Sequence, residues 1–334
     1  GQTGTSFTIV APALANNARQ FRVVATHSEG PVNSNAATLT VNAAPVNNTW
    51  QTAGRIGPVG GSIYHPKIAF DSLGNAIAIW MQGNEAPSTR YELWANRYIA
   101  GSGWGTPQVI YPGVGFRVNW PQLGVDANGN AIVVWELIDD PYDPLPDIWS
   151  VSYSTSTGWG TAAGISNDTG AYDSSSPKLA VAGNGTAVAI WTQGNGTSVG
   201  NILMATGSTG SGWGSPALLA TAANSQVGGP DAVLNATGNG IATWSQWGGS
   251  NFTLRAALIS SGTAGTAQAI STNTGTLVNP HIAVNAAGTA VAIWGQLNGS
   301  RFEITSNRFV PGTGWGSPTQ VNNPGYPVFN QTPD

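Results

Sequence analysis

The chain has no cysteine, which excludes a disulfide framework, thiolate metal ligands and a cysteine nucleophile. Charge is nearly as scarce. Asp, Glu, Lys and Arg make up 8% of the 334 residues, and Lys67 and Lys178 are the only lysines. With a formal net charge of −4 no basic stripe exists to hold a phosphate backbone, so nucleic acid is not an expected partner. No apolar run approaches the ~18 residues that a membrane-spanning helix needs. No signal peptide is visible, but residue 1 falls inside a strand pattern and that absence carries no information. Low charge alone would suit a disordered chain, yet 41% hydrophobic residues and 14 tryptophans require packed structure.

One pattern is present in quantity. The stretch Asp126-Ala-Asn-Gly-Asn-Ala-Ile-Val-Val-Trp135 has relatives at 71–80, 182–191, 235–244 and 285–294. In each, a Gly-centred turn separates two short apolar runs, the sequence form of a β-hairpin. The closing tryptophans, Trp80, Trp135, Trp191, Trp244 and Trp294, recur about every fifty residues, a period that marks a repeated sheet unit. A second element, Trp104-Gly-Thr-Pro-Gln-Val-Ile110, returns at 159–165, 213–219 and 315–321. It survives without its tryptophan at 264–270 and appears once more, early, as Trp50–Ile56. Between the two lies a variable third strand, as in 91–99, 147–153 and 302–309.

Each repeat therefore reads as four strands, opening near Pro66, Pro121, Pro177, Pro230 and Pro280. In Ala76-Ile-Ala-Ile-Trp80 both alternating faces are apolar, which water would not tolerate but a sheet pressed between two neighbours requires. Four short antiparallel strands in about fifty residues are the size of a β-propeller blade. The chain resembles bacterial β-propeller repeat proteins, with hairpins loosely similar to the Asp-box turns of sialidases. The expected fold is all-β: a propeller of four-stranded antiparallel blades, five complete and a sixth split or missing, over residues 50–334. In this reading Trp50–Ile56 is the outer strand of the split blade. The alternative is a closed five-bladed ring with that element as an extra edge strand.

Residues 1–43 differ. Phe7–Val10, Gln20–Thr26 and Ala37–Val41 read as strands, and the stretch resembles the last three strands of a bacterial immunoglobulin-like domain. Phe21 stands at the corner-tyrosine position and Val23 where many members carry their second cysteine. Residues 44–49 form a polar linker. Three strands leave an apolar face to be completed by upstream sequence or by another chain, so self-assembly through the incomplete sheet and an open blade edge is an expectation.

Chemistry is thinly marked. The acidic residue of the hairpin is Asp71 or Asp126 in two copies but Ala182, Asn235 and Asn285 in the others, which fits a turn cap better than a catalyst. An acidic insertion runs from Glu136 to Asp147. Asp139, Asp140, Asp143 and Asp147 could offer calcium hard oxygen ligands, but three prolines stiffen the segment and a solvated loop is the simpler reading. If the chain were catalytic, Glu136 with one of these aspartates would be the acid/base pair. His65 and His281 flank Pro66 and Pro280, but other repeats offer Trp120, Ser176 and Gly229 instead of a metal ligand. No cofactor is expected beyond that possible calcium.

The recurring tryptophans are read as packing, with a Trp-x-Gln pattern (Gln82, Gln193, Gln246, Gln296) broken at Leu137. The aromatics that do not recur are candidate glycan contacts: Trp94, Trp120, Trp149, Trp247, Tyr64 and Tyr142, since sugar rings stack on aromatic faces. The expectation from sequence is a non-enzymatic, extracellular or cell-surface bacterial module that binds glycans or neighbouring protein chains, for adhesion or matrix assembly. A degenerate sialidase-like glycoside hydrolase is the alternative.

Overall fold

The computed structural model describes strand residues within 20–38 and most of 52–322, leaving out 84–90, 114–116, 139–144, 167–171, 195–198, 224–225, 273–275 and 299–300. It divides into two units, Gly1–Gly54 and Arg55–Asp334. In the first, Gln20–Phe21 pairs antiparallel with Ala37–Thr38, and Val24–His27 with Gly30–Asn33. The expected strand Phe7–Val10 lies outside the described residues.

The second unit is five antiparallel sheets. In blade one Ile63–Phe70 pairs Ala76–Gly83, which pairs Tyr91–Ile99. The outer strand is split into Gly103–Trp104 and Gln108–Tyr111, both laid along the third strand. The inner strands of blades two to five are Arg117–Val125, Asp173–Val181, Val227–Leu234 and Leu277–Val284. Their second strands are Ala131–Ile138, Thr186–Gly194, Gly240–Trp247 and Ala290–Asn298. Each blade repeats the order of the first.

Alternation sorts each second strand into two apolar faces. In blade two Ala131, Val133 and Trp135 share a core with Ile77, Ile79 and Met81 of blade one. The opposite face, Ile132 and Val134, shares a core with Ala187, Ala189 and Trp191 of blade three. The tryptophan thus always lies on the leading face, towards the preceding blade, and Trp135, Trp191, Trp244 and Trp294 are wholly buried. They are packing residues.

Burial leaves each indole N–H needing an acceptor. Gln82, Gln246 and Gln296 supply it to Trp80, Trp244 and Trp294, at 3.0, 3.4 and 3.2 Å. Leu137 cannot, and Gln193 donates instead to Ser174; the N–H groups of Trp135 and Trp191 have no partner among the described residues. Gln82 also donates to the Gly60 carbonyl at 2.7 Å. Gln82→Leu should therefore cost about 1–3 kcal/mol, measured by denaturant unfolding.

At one end of the blades the hairpin turns are tied by their acidic or amide residue. Asp126 Oδ1 accepts from the N–H groups of Asn128 and Asn130 at 2.8 and 2.9 Å, and Asn235 Oδ1 from those of Thr237 and Asn239 at 3.0 and 3.1 Å. The turns then link blade to blade: Ser72 donates to the Ala127 carbonyl, Ala127 N–H to Gly183, and Asn184 to Thr237. Burial pushes the Asp71 carboxyl up, but bonds from the Asn75 side chain and from the Leu73 and Asn75 N–H groups, with Arg97 nearby, outweigh it and hold the group below the usual range. These carboxylates are turn fasteners.

Each inner strand opens ahead of its proline and is broken there by a bulge. The residue before each proline is left-handed: His65, Trp120, Ser176, Gly229 and Asn279 have φ of 49, 48, 57, 54 and 47°. A bulge takes one residue out of the ladder and re-aims it, and positive φ strains every residue but glycine. Five equivalent left-handed residues therefore stand on the five innermost strands, and all but Gly229 are strained.

Candidate functional site

The bulges bring together groups far apart in sequence. Glu136 lies on the trailing face of blade two, beside Trp135 and facing blade three. It is 7% exposed. Asn119, its cross-strand partner on the inner strand, donates its amide to Glu136 Oε1 at 3.1 Å. Ser176, at the bulge of blade three, donates its N–H to Oε2 at 3.3 Å. That N–H is available because the bulge has removed it from the ladder. Burial pushes the Glu136 carboxyl above its usual range; the bonds from Asn119 and Ser176 oppose the shift, and the charge of Asp173 adds to it. Asp173 opens the inner strand of blade three.

The result is a buried carboxyl whose charged form is disfavoured, within the influence of a second carboxylate, at the seam between blades two and three. Glutamate occurs here only once, because sister repeats place Met81, Thr192, Ser245 or Gly295 at this register. A group whose charged form is disfavoured by burial can hold a proton for transfer. Environments that separate the behaviour of two neighbouring carboxyls create an acid and its counterpart.

Of the aspartates expected to pair with Glu136, only Asp147 falls among the described residues. Among those residues the carboxylate acting on Glu136 is Asp173 of the next blade. Asp147, at the head of the third strand, instead accepts from Ser166 Oγ at 2.7 Å. Asp139, Asp140, Asp143 and Tyr142 lie outside the described residues. No three His, Asp or Glu side chains cluster for a metal among the described residues.

The glycan candidates fall into two groups. Trp120, 54% exposed, sits at the blade-two bulge with its ring 4.7 Å from that of His65; Tyr64, next to His65, meets Tyr91 edge-on at 5.3 Å. These are accessible faces on adjacent inner strands. The others are built into their blades: Trp94 stacks on Trp80 and donates to Glu92, Trp149 packs against Tyr111 and Trp247 against Phe252. His65 and His281 share no site. His65 precedes its proline and faces Trp120, whereas His281 follows Pro280 and lies 3.6 Å from Asp231.

The sequence assigns no role to Asp173 or Asn119, and offers His65 and Ser176 only as positions weighed for a shared metal. Register with the prolines was the one available signal: Ser176 precedes Pro177 as Trp120 precedes Pro121, and Asp173 stands at the place of Arg117, four residues ahead of the proline.

No protein-family model matches the chain, and no curated protein is similar to it in sequence. Solved structures do resemble it. Polysaccharide lyase Uly1 superposes with a TM-score of 0.51 at 11% identity, over 77% of this chain and 68% of that one. The alpha-L-arabinanase of Penicillium chrysogenum, complexed with arabinobiose, gives 0.47 at 16% identity over 78% and 81%. A thermostable family-43 glycoside hydrolase gives 0.43 at 15% identity over 82% and 98%. The shared feature is the propeller architecture of four-stranded antiparallel sheets.

These likenesses correct the functional expectation drawn from sequence. The expectation of a non-enzymatic binding or assembly module is not supported by them: the structures named above are of carbohydrate-cleaving enzymes, in line with the glycosidase alternative.

Proposed function

We propose that the chain is a carbohydrate-acting enzyme of the propeller class, cleaving glycosidic linkages at the seam between blades two and three. The observation that carries this reading is Glu136, a buried carboxyl held between Asn119 and the Ser176 N–H beside Asp173. Glu136 is the proton donor to the departing glycosidic oxygen; as the C–O bond breaks, a water molecule adds to the anomeric carbon and its released proton returns to the Glu136 carboxylate. Asp173 supplies the negative charge that stabilises the positive charge developing on the sugar ring, the division of labour that paired carboxylates perform in glycoside cleavage. Asn119 and Ser176 are positioning groups for Glu136. Trp120 with His65 forms the platform on which a sugar ring stacks.

Reducing-end release from a panel of neutral and acidic polysaccharides tests the reading, with ultraviolet absorbance to detect unsaturated products of elimination. Cleavage that survives Glu136→Gln, or its absence across the panel, contradicts it. Trp120→Gly should raise KM while leaving stability within about 0.5 kcal/mol, since the side chain is exposed and the sister residue at this left-handed position is already Gly229.

A further inference from the structure

The stack of blades is open at both ends. On the leading face of blade one Ile68 and Phe70 are 54% and 61% exposed, whereas their counterparts Leu123, Val125, Leu179 and Val181 pack against the preceding blade. Pro66 is exposed while Pro121, Pro177, Pro230 and Pro280 are buried. On the trailing face of blade five Val291 is 42% exposed, against 2% or less for Ile77, Ile132, Val188 and Ile241. Inner strands of successive blades pack extensively against one another, but among the described residues no packing of comparable extent joins blade five to blade one.

One part of the missing neighbour is already present. Asn96 donates to the carbonyls of Ile56 and Gly105 at 2.8 and 3.0 Å. Its counterpart Asn307 donates to those of Ile270 and Gly316 at 2.8 and 3.1 Å. Ile270 ends the outer strand of blade four, bonded to the third strand through Leu254, so Ile56 holds the place of an outer-strand end preceding blade one. Between this segment and the inner strand lies a cavity of about 700 Å³ lined by Ile56, Pro58, Ile63, Pro66, Ile68 and Trp80, among others.

We propose that this gap takes one further repeat of the chain's own type, joined after blade five. It contributes three antiparallel strands, stacks its leading face on Val291 and its trailing face on Ile68 and Phe70, and uses the segment ending at Ile56 as its fourth strand. The occupied outer position argues against blade five of a second copy, which would bring its own outer strand into the place of Ile56. Two apolar faces exposed at opposite ends of one stack are the same interface, halved.

The test compares the chain with a version extended by a copy of residues 282–310 after Asp334, so that Pro333 takes the sequence place of Pro280. The proposal expects the extension to suppress binding of a hydrophobic dye and to slow amide exchange in 63–70 by about tenfold or more. It expects Phe70→Ser to lower the melting temperature of the extended chain but not of the original. Unchanged dye binding and exchange, or rapid exchange throughout the appended strands, overturns it. So does concentration-dependent dimerisation of the original chain that Phe70→Ser abolishes, which would assign the face to a second copy.

Discussion

Glu136→Gln is expected to lower polysaccharide cleavage by about 10²–10⁴-fold, the range for loss of a positioned general acid, and to make the protein more stable at neutral pH. The two effects have one cause. Burial raises the Glu136 carboxyl above its usual range, with the nearby Asp173 charge adding to the shift. A carboxyl raised on folding binds its proton more tightly in the native state, so its stabilising contribution is complete below its unfolded value and is lost as pH rises through the folded one. Glutamine carries no charge to desolvate and keeps an oxygen to accept from Asn119. The stability gain of the variant should therefore be present at neutral pH and vanish on acidification below the ordinary glutamate range. Asp173→Asn should also reduce cleavage, but by removing the stabilising charge while leaving the donor in place. Loss of activity with no gain in stability would mark Glu136 as an ordinary surface-like carboxylate and remove the basis for its role.

Trp191→Ala should cost about 3–5 kcal/mol, the range for emptying a fully buried aromatic site. Trp191 is wholly buried and shares a core with Ile132, Val134 and Ile148 of blade two, so its loss opens a seam between blades. Against a total stability of roughly 5–15 kcal/mol for a folded domain, that is a large fraction. In a stacked array the damage is expected to separate the transitions on either side of the seam, visible as a broadened or split calorimetric peak. Trp104 provides the contrast: it is 37% exposed at an outer edge, and Trp104→Ala should stay near 1 kcal/mol or below. Equal effects at the two positions would contradict the assignment of the hairpin tryptophans to the blade interfaces.

The tryptophan positions were legible because they obey two local rules at once. A Gly-centred turn fixes the hairpin, and apolar residues on both alternating faces require a neighbour on each side; together these specify stacked blades without any long-range information. The site was not legible for the opposite reason. Glu136 meets Asp173 and Ser176 only because blade three lies against blade two and because its inner strand bulges at residue 176. Neither fact is written near Glu136. Propensity even points away from the bulge: tryptophan and serine are not residues that choose a left-handed conformation, and a following proline biases its predecessor towards extended backbone. Proximity in sequence offers Glu136 only the aspartates of its own loop, and says nothing of Asp173 across the seam. Asp71 and Asp126 were read correctly as turn residues, since their replacement by Asn or Ala in sister hairpins is visible in the sequence itself.

The most direct test of the central claim is a site-resolved titration of the Glu136 carboxyl in the intact chain, by carboxyl-carbon nuclear magnetic resonance with Glu136→Gln to assign the signal. The account predicts that Glu136 titrates above the ordinary glutamate range and moves back towards it in Asp173→Asn. A Glu136 that titrates at the ordinary value, indifferent to Asp173, would contradict it.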